Sequence, residues 1–373
     1  MSDPFTFRTV YWVWLNELRG ISLRTKRMLL TTLGDPKAVF HASLDDITGL
    51  LVDSGGTFAE AVHERPGTQS LGPLWSQRNL KQAESILTTH DAHGIETLCA
   101  ADWRYQRIFA HDRHAPLVLY YRGKLAEPEV PVVGIIGTRS CTSYGRKVTK
   151  AAARETVAKG EVVASGLSFG IEALAHETTL SLRGTTYAFL PCGLHRAQPS
   201  SHEKLMERII AQGAVISPYP HGKEALPFRF IGRNDLLAAW CDPLLVVEAR
   251  LKSGCMHTAR RALAKGKRVF AAPNSLLEPK SAGTNQLLSE GAQVYLNDHL
   301  LENIDSRKSL GRVEGERVRK IINVLTDKPL GTGELVSSVG QEATMVMESL
   351  AAMEDSEQVE YRSDGKWHRV GGP

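Results

Sequence analysis

The chain has 373 residues, of which 42% are hydrophobic and 23% are charged, and its net charge is +4. This composition is that of a folded soluble protein and excludes a fibrous or largely disordered chain. No apolar run approaches the ~20 residues that span a bilayer, and no signal peptide is recognisable, so no membrane contact is expected. Five scattered cysteines without a CxxC pair favour a cytoplasmic protein with reduced thiols, and no metal or other cofactor is expected.

The positive charge is concentrated in one region. Residues 134–300 contain 21 Lys and Arg against 13 Asp and Glu, a net charge of +8, whereas residues 312–373 contain 8 against 11, a net charge of −3. A local basic excess is typical of proteins that bind polyanions, and it is also found in α/β enzymes that bind phosphates.

The first 75 residues are predicted to form a small helical domain. Apolar residues recur at helical spacing between residues 11 and 72, and Gly20 and the Gly34-Asp35-Pro36 segment interrupt the pattern. A further helix is predicted over residues 80–89, and a short extended segment over residues 117–121.

Residues 76–305, with a core over 130–300, are predicted to form an extended Rossmann-like domain. The predicted strands cover residues 132–136, 161–164, 185–190, 214–217, 244–247 and 268–272. The predicted helices cover residues 145–159, 171–182, 202–212 and 258–265. This alternation is typical of an α/β fold with a doubly wound, mainly parallel sheet, in which ligands lie beyond the carboxyl ends of the strands.

Residues 312–373 are predicted to form a winged-helix-like domain, because three helical segments (316–326, 333–339 and 343–353) precede a hairpin over 358–370. A module that reads a DNA groove should be basic, and this segment is acidic. A protein-interaction or dimer-regulating role is therefore expected for it.

Three predicted strand ends carry glycines that could approach a ligand closely. They are residues 137–140 (GTRS), 165–170 (SGLSFG) and 191–196 (PCGLHR). Free backbone amides at a helix start favour phosphate, and Arg139 and Arg196 could add forked contacts. Neither a Walker A sequence nor a GxGxxG sequence is present, so ATP or NAD binding is poorly supported.

Residues 166–170 also fit the GxSxG pattern of a serine hydrolase, with Ser168 as nucleophile and Glu248 and His257 in the chain order of acid and base. Only one strand of the unit precedes this turn, whereas a hydrolase of that type needs several. The hydrolase is therefore a minor alternative. His176 has no partner at ligand spacing and is expected to be a structural hydrogen-bonding group.

Seven segments in this order resemble the DNA-processing protein A family, also called DprA or Smf. They are residues 134–139 (GIIGTR), 165–176 (SGLSFGIEALAH), 192–205 (CGLHRAQPSSHEKL), 230–238 (FIGRNDLLA), 246–259 (VVEARLKSGCMHTA), 266–273 (GKRVFAAP) and 283–292 (GTNQLLSEGA). They are distributed over about 160 residues, and seven segments in the same order make the resemblance far more specific than any one segment.

The resemblance implies that the chain binds single-stranded DNA in a positively charged pocket, forms a homodimer and delivers a RecA-type recombinase onto that DNA during natural transformation or recombination. It assigns the pocket's cations to Arg139, Lys204 and Arg233. The loops and the resemblance together predict the DNA- or phosphate-binding residues Gly137, Arg139, Ser165, Gly166, Phe169, Gly170, Gly193, Lys204, Arg233 and Asn234. No catalytic residue is expected. Phe169, Phe228, Phe230 and Tyr144 are candidates for base stacking.

The sequence departs from the family pattern at several positions. Glu172 replaces an aspartate, and Asp235 replaces the second arginine of the FPxRNR segment, so Asp235 is expected to weaken a phosphate pocket unless Arg229 or Arg233 compensates. Two further functions stay open: a sensor that binds a small nucleotide, and a nucleotide-cleaving enzyme of related fold. Enzymes of the second kind carry a PGGxGTxxE motif, whereas this chain has Pro191-Cys192-Gly193 without that continuation.

Overall fold

The computed structural model describes residues 4–18, 21–53, 75, 78–109, 112, 114–296, 320–326, 328–341, 343–355, 358–362 and 364–370. The chain divides into two compact units, Met1–Tyr295 and Leu296–Pro373. Each unit is described by itself.

The first unit combines helices with a nine-stranded sheet. Its helices are α1 (Pro4–Glu17), α2 (Leu23–Leu33), α3 (Pro36–His41), α4 (Leu44–Asp53), α5 (Lys81–Ala92), α6 (Trp103–Phe109), α7 (Ser143–Ala158), α8 (Ile171–Ser181), α9 (Glu203–Gln212), α10 (Pro227–Trp240), α11 (Gly254–Ala264) and α12 (Ala282–Ser289). Its strands are β1 (Glu96–Cys99), β2 (Val118–Gly123), β3 (Val132–Ile136), β4 (Val162–Ser165), β5 (Thr186–Phe189), β6 (Ala214–Ser217), β7 (Leu244–Val246), β8 (Val269–Ala271) and β9 (Gln293–Val294).

The sheet confirms the predicted doubly wound α/β fold. Its strand order is β1-β2-β6-β5-β4-β3-β7-β8-β9. The seven strands from β3 to β9 pair in parallel, and β1 and β2 form an antiparallel edge. The chain runs outward from β3 to β6 and then returns to β7 on the other side of β3. The point where the strand order reverses therefore lies between β3 and β7, where ligands of such sheets bind.

The parallel strands are short and apolar because helices cover both faces of the sheet. Every residue of β4, β5, β6, β7 and β8 is buried. One apolar core joins residues of α1 and α9 to one face of the sheet, and another joins residues of α10 and α11 to the opposite face. The alternation read from the sequence thus comes from burial on both sides.

The N-terminal helices share a core with the sheet. Leu15, Leu29 and Val39 are fully buried in the same cluster as Leu190 and Val215. The predicted helices are present up to residue 53, and residues 54–74 of the predicted helical domain lie outside the described residues. The division of the first unit at residue 75 stays a prediction.

The second unit contains a helical segment over 320–326, α13 (Thr332–Val339), α14 (Ala343–Asp355) and an antiparallel hairpin of β10 (Val359–Tyr361) and β11 (Trp367–Arg369). Its core is formed by Ile321, Leu335, Val346, Leu350 and Trp367, among others. This order matches the one expected from the sequence, and the winged-helix assignment itself stays a prediction. Residues 316–319 of the first predicted helix lie outside the described residues.

None of the described helices is both long and apolar enough to cross a membrane.

Candidate nucleic-acid interface

Four loops meet at the carboxyl-terminal edge of the sheet. Because β5, β4, β3 and β7 are adjacent and parallel, the loops that follow them lie side by side. Three of these loops are the glycine-bearing segments predicted from the sequence, and the fourth follows β7. The edge is therefore the place to look for a binding site.

A cleft of about 360 Å³ opens between the loops after β3 and β7, at the point where the strand order reverses. The residues that line it include Gly137, Thr138, Arg139, Ser168, Glu172, Phe230, Arg233, Asn234, Arg250, Ser253, Gly254 and Cys255. Three arginines against one carboxylate make the lining cationic. Arg139 and Arg250 are exposed, and no hydrogen bond or ion pair of either guanidinium is found among the described residues.

The backbone of the Arg139 loop rests on Gly170. Gly170 has φ +79°, and a Cβ at this position would lie 2.4 Å from the Thr138 carbonyl oxygen and 2.5 Å from that of Arg139. The Ile171 amide, at the start of α8, donates to the Thr138 carbonyl at 3.2 Å. Glycine is therefore required here for two reasons, the positive φ and the close approach of the neighbouring loop.

A buried carboxylate holds the far end of the same loop. Glu248 is fully buried, and one of its oxygens accepts from the Thr142 amide at 3.0 Å. The Thr142 hydroxyl donates to the other oxygen and also accepts from the Gly145 amide at 3.1 Å, which caps α7. Gly145 leaves room for this carboxylate, because a Cβ there would lie 2.4 Å from it. Glu248 thus joins the loops after β3 and β7, the two sides of the cleft.

Arg233 forms the floor of the cleft. It is only 4% exposed, donates to the Phe189 carbonyl at 3.1 Å and lies 3.8 Å from a carboxylate oxygen of Glu172. Its Nε is buried without a hydrogen-bond partner among the described residues. Gly166 makes space for both side chains, since a Cβ there would lie 1.8 Å from the Arg233 guanidinium. Arg233 therefore supplies positive charge from below, and Glu172 neutralises part of it.

The wall formed by α10 and α11 contributes polar groups. Asn234 lines the cleft, and its side-chain amide has no hydrogen bond to any part of the chain that the structure describes. Ser253, Gly254 and Cys255 place the start of α11 at the cleft, where the helix dipole favours an anion. Burial raises the pKa of the Cys255 thiol, which disfavours a reactive thiolate.

Six of the ten predicted contact residues do not line the cleft, and two of these are the glycines described above that support it. Ser165 is fully buried and its hydroxyl donates to the Ile135 carbonyl at 2.6 Å, so it links β4 to β3 and cannot reach a ligand. The Gly193 amide donates to the Lys223 carbonyl at 2.8 Å, so it is not free for a phosphate. Both expectations are corrected, because the sheet and a neighbouring loop use these groups.

Phe169 and Lys204 do not line the cleft; Phe169 lies on the loop after β4, and Lys204 lies on α9, which follows β5. Phe169 is 49% exposed and its ring packs edge-on against His202, with ring centroids 4.7 Å apart. Lys204 is exposed in the first turn of α9. They share the cleft's edge of the sheet.

The candidate stacking residues are placed differently from one another. Phe228 is 62% exposed, whereas Phe230 is half-buried and lines the cleft. Tyr144 donates its hydroxyl to the Pro273 carbonyl at 2.6 Å, which ties α7 to the loop after β8.

His176 is a structural residue, as expected. It is fully buried, and its ring nitrogens lie 2.7 Å from the Thr186 hydroxyl and 2.6 Å from the Gly166 carbonyl. Burial lowers the pKa of His176 to about 4, so the ring is neutral at physiological pH, and it links α8 to β5 and to the loop after β4.

The groups of the serine hydrolase alternative have other partners. The Glu248 carboxylate is bonded to Thr142, and His257 lies 3.2 Å from Asp235. No described hydrogen bond joins any two of Ser168, Glu248 and His257. Because the proposed acid is already used to fix a loop, the geometry gives this alternative no support.

Asp235 does not lie in the cleft, which corrects a further expectation. Its carboxylate lies 3.2 Å from His257 and 3.4 Å from Arg261, on a separate depression of the surface. Arg229 instead packs over the rings of Tyr219 and Phe228. The acid at this position is therefore paired with Arg261, and not with Arg229 or Arg233.

Sequence reasoning missed Arg250. The residue lies within a segment that resembles the family, and its position in the loop that follows a buried strand at the reversal of strand order could have indicated it. As for metals, no group of three or more His, Cys, Asp or Glu side chains in the described ranges could hold an ion.

The fold and the cleft define a doubly wound α/β protein with a cationic cleft at the reversal of its strand order. Its sequence matches the profile of the family described as DNA recombination-mediator protein A over residues 96–305. The chain belongs to this family, which confirms the resemblance seen in its sequence.

Relatives and solved structures agree with this assignment. The chain is 34% identical over 239 residues to Protein Smf of Synechocystis, covering 63% of this chain and 60% of that protein. It is 35% identical over 184 residues to DNA processing protein DprA of Streptococcus pneumoniae, covering 48% of this chain and 64% of the relative. The chain thus spans less than two thirds of either protein.

Two solved structures share the fold. DNA processing protein A from Streptococcus pneumoniae superimposes with a TM-score of 0.63 at 26% identity, covering 77% of this chain and 95% of that one. DNA processing protein A from Helicobacter pylori, described for its single-stranded DNA binding mode, gives a TM-score of 0.51 at 31% identity, covering 57% of this chain and 96% of that one.

Proposed function

We propose that this chain binds single-stranded DNA at the cleft, without covalent chemistry, and acts in DNA processing during transformation or recombination. The observation that carries the proposal is the pair of exposed arginines, Arg139 and Arg250, which have no partner among the described residues and lie on opposite walls of a cleft whose floor is Arg233. Cations and free helix amides hold phosphate, and Asn234 and Phe230 could contact a base. The single-stranded DNA binding described for the Helicobacter pylori protein supports the same ligand here.

The proposal is tested with Arg139→Ala and Arg250→Ala. Each exposed arginine should contribute a charge-assisted contact, so each variant should bind oligo-dT about tenfold more weakly. Each should also lower the slope of log affinity against log salt by about 0.7, the value for one phosphate on a single strand. Fluorescence anisotropy at about 50 and about 200 mM salt measures both quantities.

The matched control is Arg24→Ala, which removes an exposed arginine from α2. It should leave affinity and slope unchanged. If Arg139→Ala and Arg250→Ala both bind like this control, the cleft is not the DNA site. Lys204→Ala belongs to the same series, and a loss there would extend the site along the sheet edge to α9.

The size of the cleft favours a second candidate, a sensor of a small nucleotide, because about 360 Å³ lies within the range of small-molecule sites. The two candidates differ in their response to chain length. Oligo-dT should bind far more tightly than thymidine monophosphate if the ligand is a strand. Equal affinity for both, with little salt dependence, would support the sensor.

The proposal also includes a homodimer that loads a RecA-type recombinase, as family membership suggests. The five cysteines, which form no disulfide, suggest that it acts in the cytoplasm. Sedimentation at the mass of a single 41.0 kDa chain would contradict the dimer. A recombinase filament that forms on DNA at the same rate with and without this protein would contradict the loading role.

A further inference from the structure

The outer face of α7 carries three cations in a row. Lys147, Lys150 and Arg154 are all exposed, at spacings of three and four residues. At 3.6 residues per turn they fall within an arc of about 60° and span about 10 Å along the helix. We call them the α7 stripe. The face of α7 that packs on the sheet contains Gly145, Thr149, Ala152, Ala153 and Thr156, on the far side of the helix.

The α7 stripe has no acidic partner in the part of the chain that the structure describes. Its three side chains form no hydrogen bond or ion pair with any of those residues. Glu155 is the acid of α7; it lies about 100° around the helix from the stripe and pairs with Lys159 at 3.0 Å. The stripe therefore presents uncompensated positive charge to solvent.

These positive charges lower the stability of α7 as an isolated helix. Like charges three and four residues apart repel on a helix surface. The first turn of α7 holds no acid and holds Arg146, with Lys147 next to it, although the helix dipole disfavours cations at this end. A bound polyanion would relieve both effects, whereas an ordinary solvated helix face mixes both signs of charge.

The α7 stripe continues from the cleft. The loop that carries Arg139 leads directly into α7. Arg146 donates to the Cys141 carbonyl of this loop at 3.0 Å, and the Lys280 ammonium lies 3.5 Å from the Ser140 hydroxyl. Cations thus follow one another from the cleft, over the loop, to the exposed face of the helix.

We propose that the α7 stripe is a second phosphate-binding surface, which holds the part of a DNA strand that leaves the cleft. This inference rests on the proposed function, since it takes the cleft as the first contact of the same strand. The stripe would bind phosphates only, without base recognition, because it offers ammonium and guanidinium groups and no aromatic side chain.

The test compares a short and a long oligo-dT, of about 6 and about 30 nucleotides, on the full chain. In Lys147→Gln/Lys150→Gln/Arg154→Gln, the long strand should bind at least about tenfold more weakly at low salt. Its salt slope should fall by about 2, three phosphates at about 0.7 each. The short strand should bind as it does to the unmodified protein.

Two control proteins accompany this variant. Arg24→Gln/Lys81→Gln/Lys124→Gln removes three exposed cations elsewhere; Lys124 follows β2, which lies four strands from β3. Lys147→Arg/Lys150→Arg/Arg154→Lys keeps the charge of the stripe and should bind both strands normally.

The outcomes separate the two proposals. If the stripe variant and the distant control bind the long strand equally, the second surface is refuted. It is also refuted if the charge-retaining variant loses as much affinity as the Gln variant, since the role would then be structural. If Arg139→Ala and Arg250→Ala both leave the short strand unaffected, the cleft itself is refuted, whatever the stripe does.

Discussion

Gly166 and Arg233 show how one small residue determines the floor of the site. The guanidinium occupies the space where any side chain at position 166 would lie, and Glu172 balances part of its charge. A buried arginine of this kind makes the electrostatic potential of the cleft more positive but is not exposed for direct contact with a phosphate. Under the proposed function, exposed Arg139 and Arg250 contact phosphate directly, while Arg233 contributes charge from the floor.

His176 makes folding sensitive to acid. Its pKa is lowered to about 4 in the folded chain, against an ordinary value of 6.5, so below pH 6.5 the unfolded chain binds a proton that the folded chain does not. Stability therefore falls as pH falls from 6.5 towards 4. Between pH 7 and pH 5 this residue should account for a loss of about 2 kcal/mol in the free energy of unfolding.

Urea unfolding of the unmodified protein and of His176→Gln at pH 7 and pH 5 checks this prediction. The glutamine variant should lose about 2 kcal/mol less on acidification. His90, whose pKa is also lowered to about 4 by burial, contributes to both proteins and cancels in the difference. Equal acid sensitivity in the two proteins would contradict the assignment.

At the scale of elements, the loops after β3 and β7 act as one unit because Glu248 bonds across them. A glutamine can accept hydrogen bonds through only one oxygen, so Glu248→Gln should loosen the Arg139 loop. The loss of a charge-assisted bond in a buried place should cost about 1.5–3 kcal/mol of stability. Oligo-dT affinity should also fall, although Glu248 itself does not line the cleft.

A double-mutant cycle with Arg139→Ala measures this coupling. If Glu248 acts through the Arg139 loop, Arg139→Ala should have a smaller effect on affinity in the Glu248→Gln background. Additive effects would show that the two residues act independently.

The same elements show what sequence could and could not predict. Buried apolar runs such as residues 132–136 and 244–247 predicted strands that the structure confirms, because burial on both faces leaves a local pattern. The helix α10 was not predicted, since Pro227 and Gly232 interrupt it in sequence and its apolar residues are buried mainly in its second half. The short helices α6 and α12 were missed as well.

Long-range pairing is the reason why parts of the site escaped prediction. Arg233 forms an ion pair with Glu172, and Asp235 forms one with Arg261. Both pairs depend on which strands become neighbours in the sheet. Ser165 was expected at a ligand, and only the parallel pairing of β4 with β3 shows its hydroxyl bonded within the sheet. Local sequence located the edge of the sheet but not the direction of each side chain.

At the scale of the whole molecule, the charge is divided between the two units. The basic excess lies in residues 134–300, whereas residues 312–373 carry a net charge of −3 and have an apolar core of their own. Deletion of residues 312–373 should therefore leave the affinity for oligo-dT within about twofold, because this acidic segment offers phosphates no net attraction.

Anisotropy titration of the truncated protein beside the full chain, at matched salt, provides the measurement. Circular dichroism should confirm that residues 1–311 retain their helices and strands. A loss of tenfold or more in affinity would show that the C-terminal segment takes part in binding, and the division of roles would be wrong.

The reversal of strand order also determines when the cleft is complete during synthesis of the chain. Arg139 is made early, but its opposite wall, with Arg250 and the start of α11, is translated more than 110 residues later, after the chain has built β4, β5 and β6. A nascent chain stalled before β7 has the Arg139 loop and α10 but lacks Arg250 and α11. Fragments cut between β6 and β7 should likewise fail to bind oligo-dT. The connection between these strands is therefore a suitable place to divide the protein for a split-reporter assay.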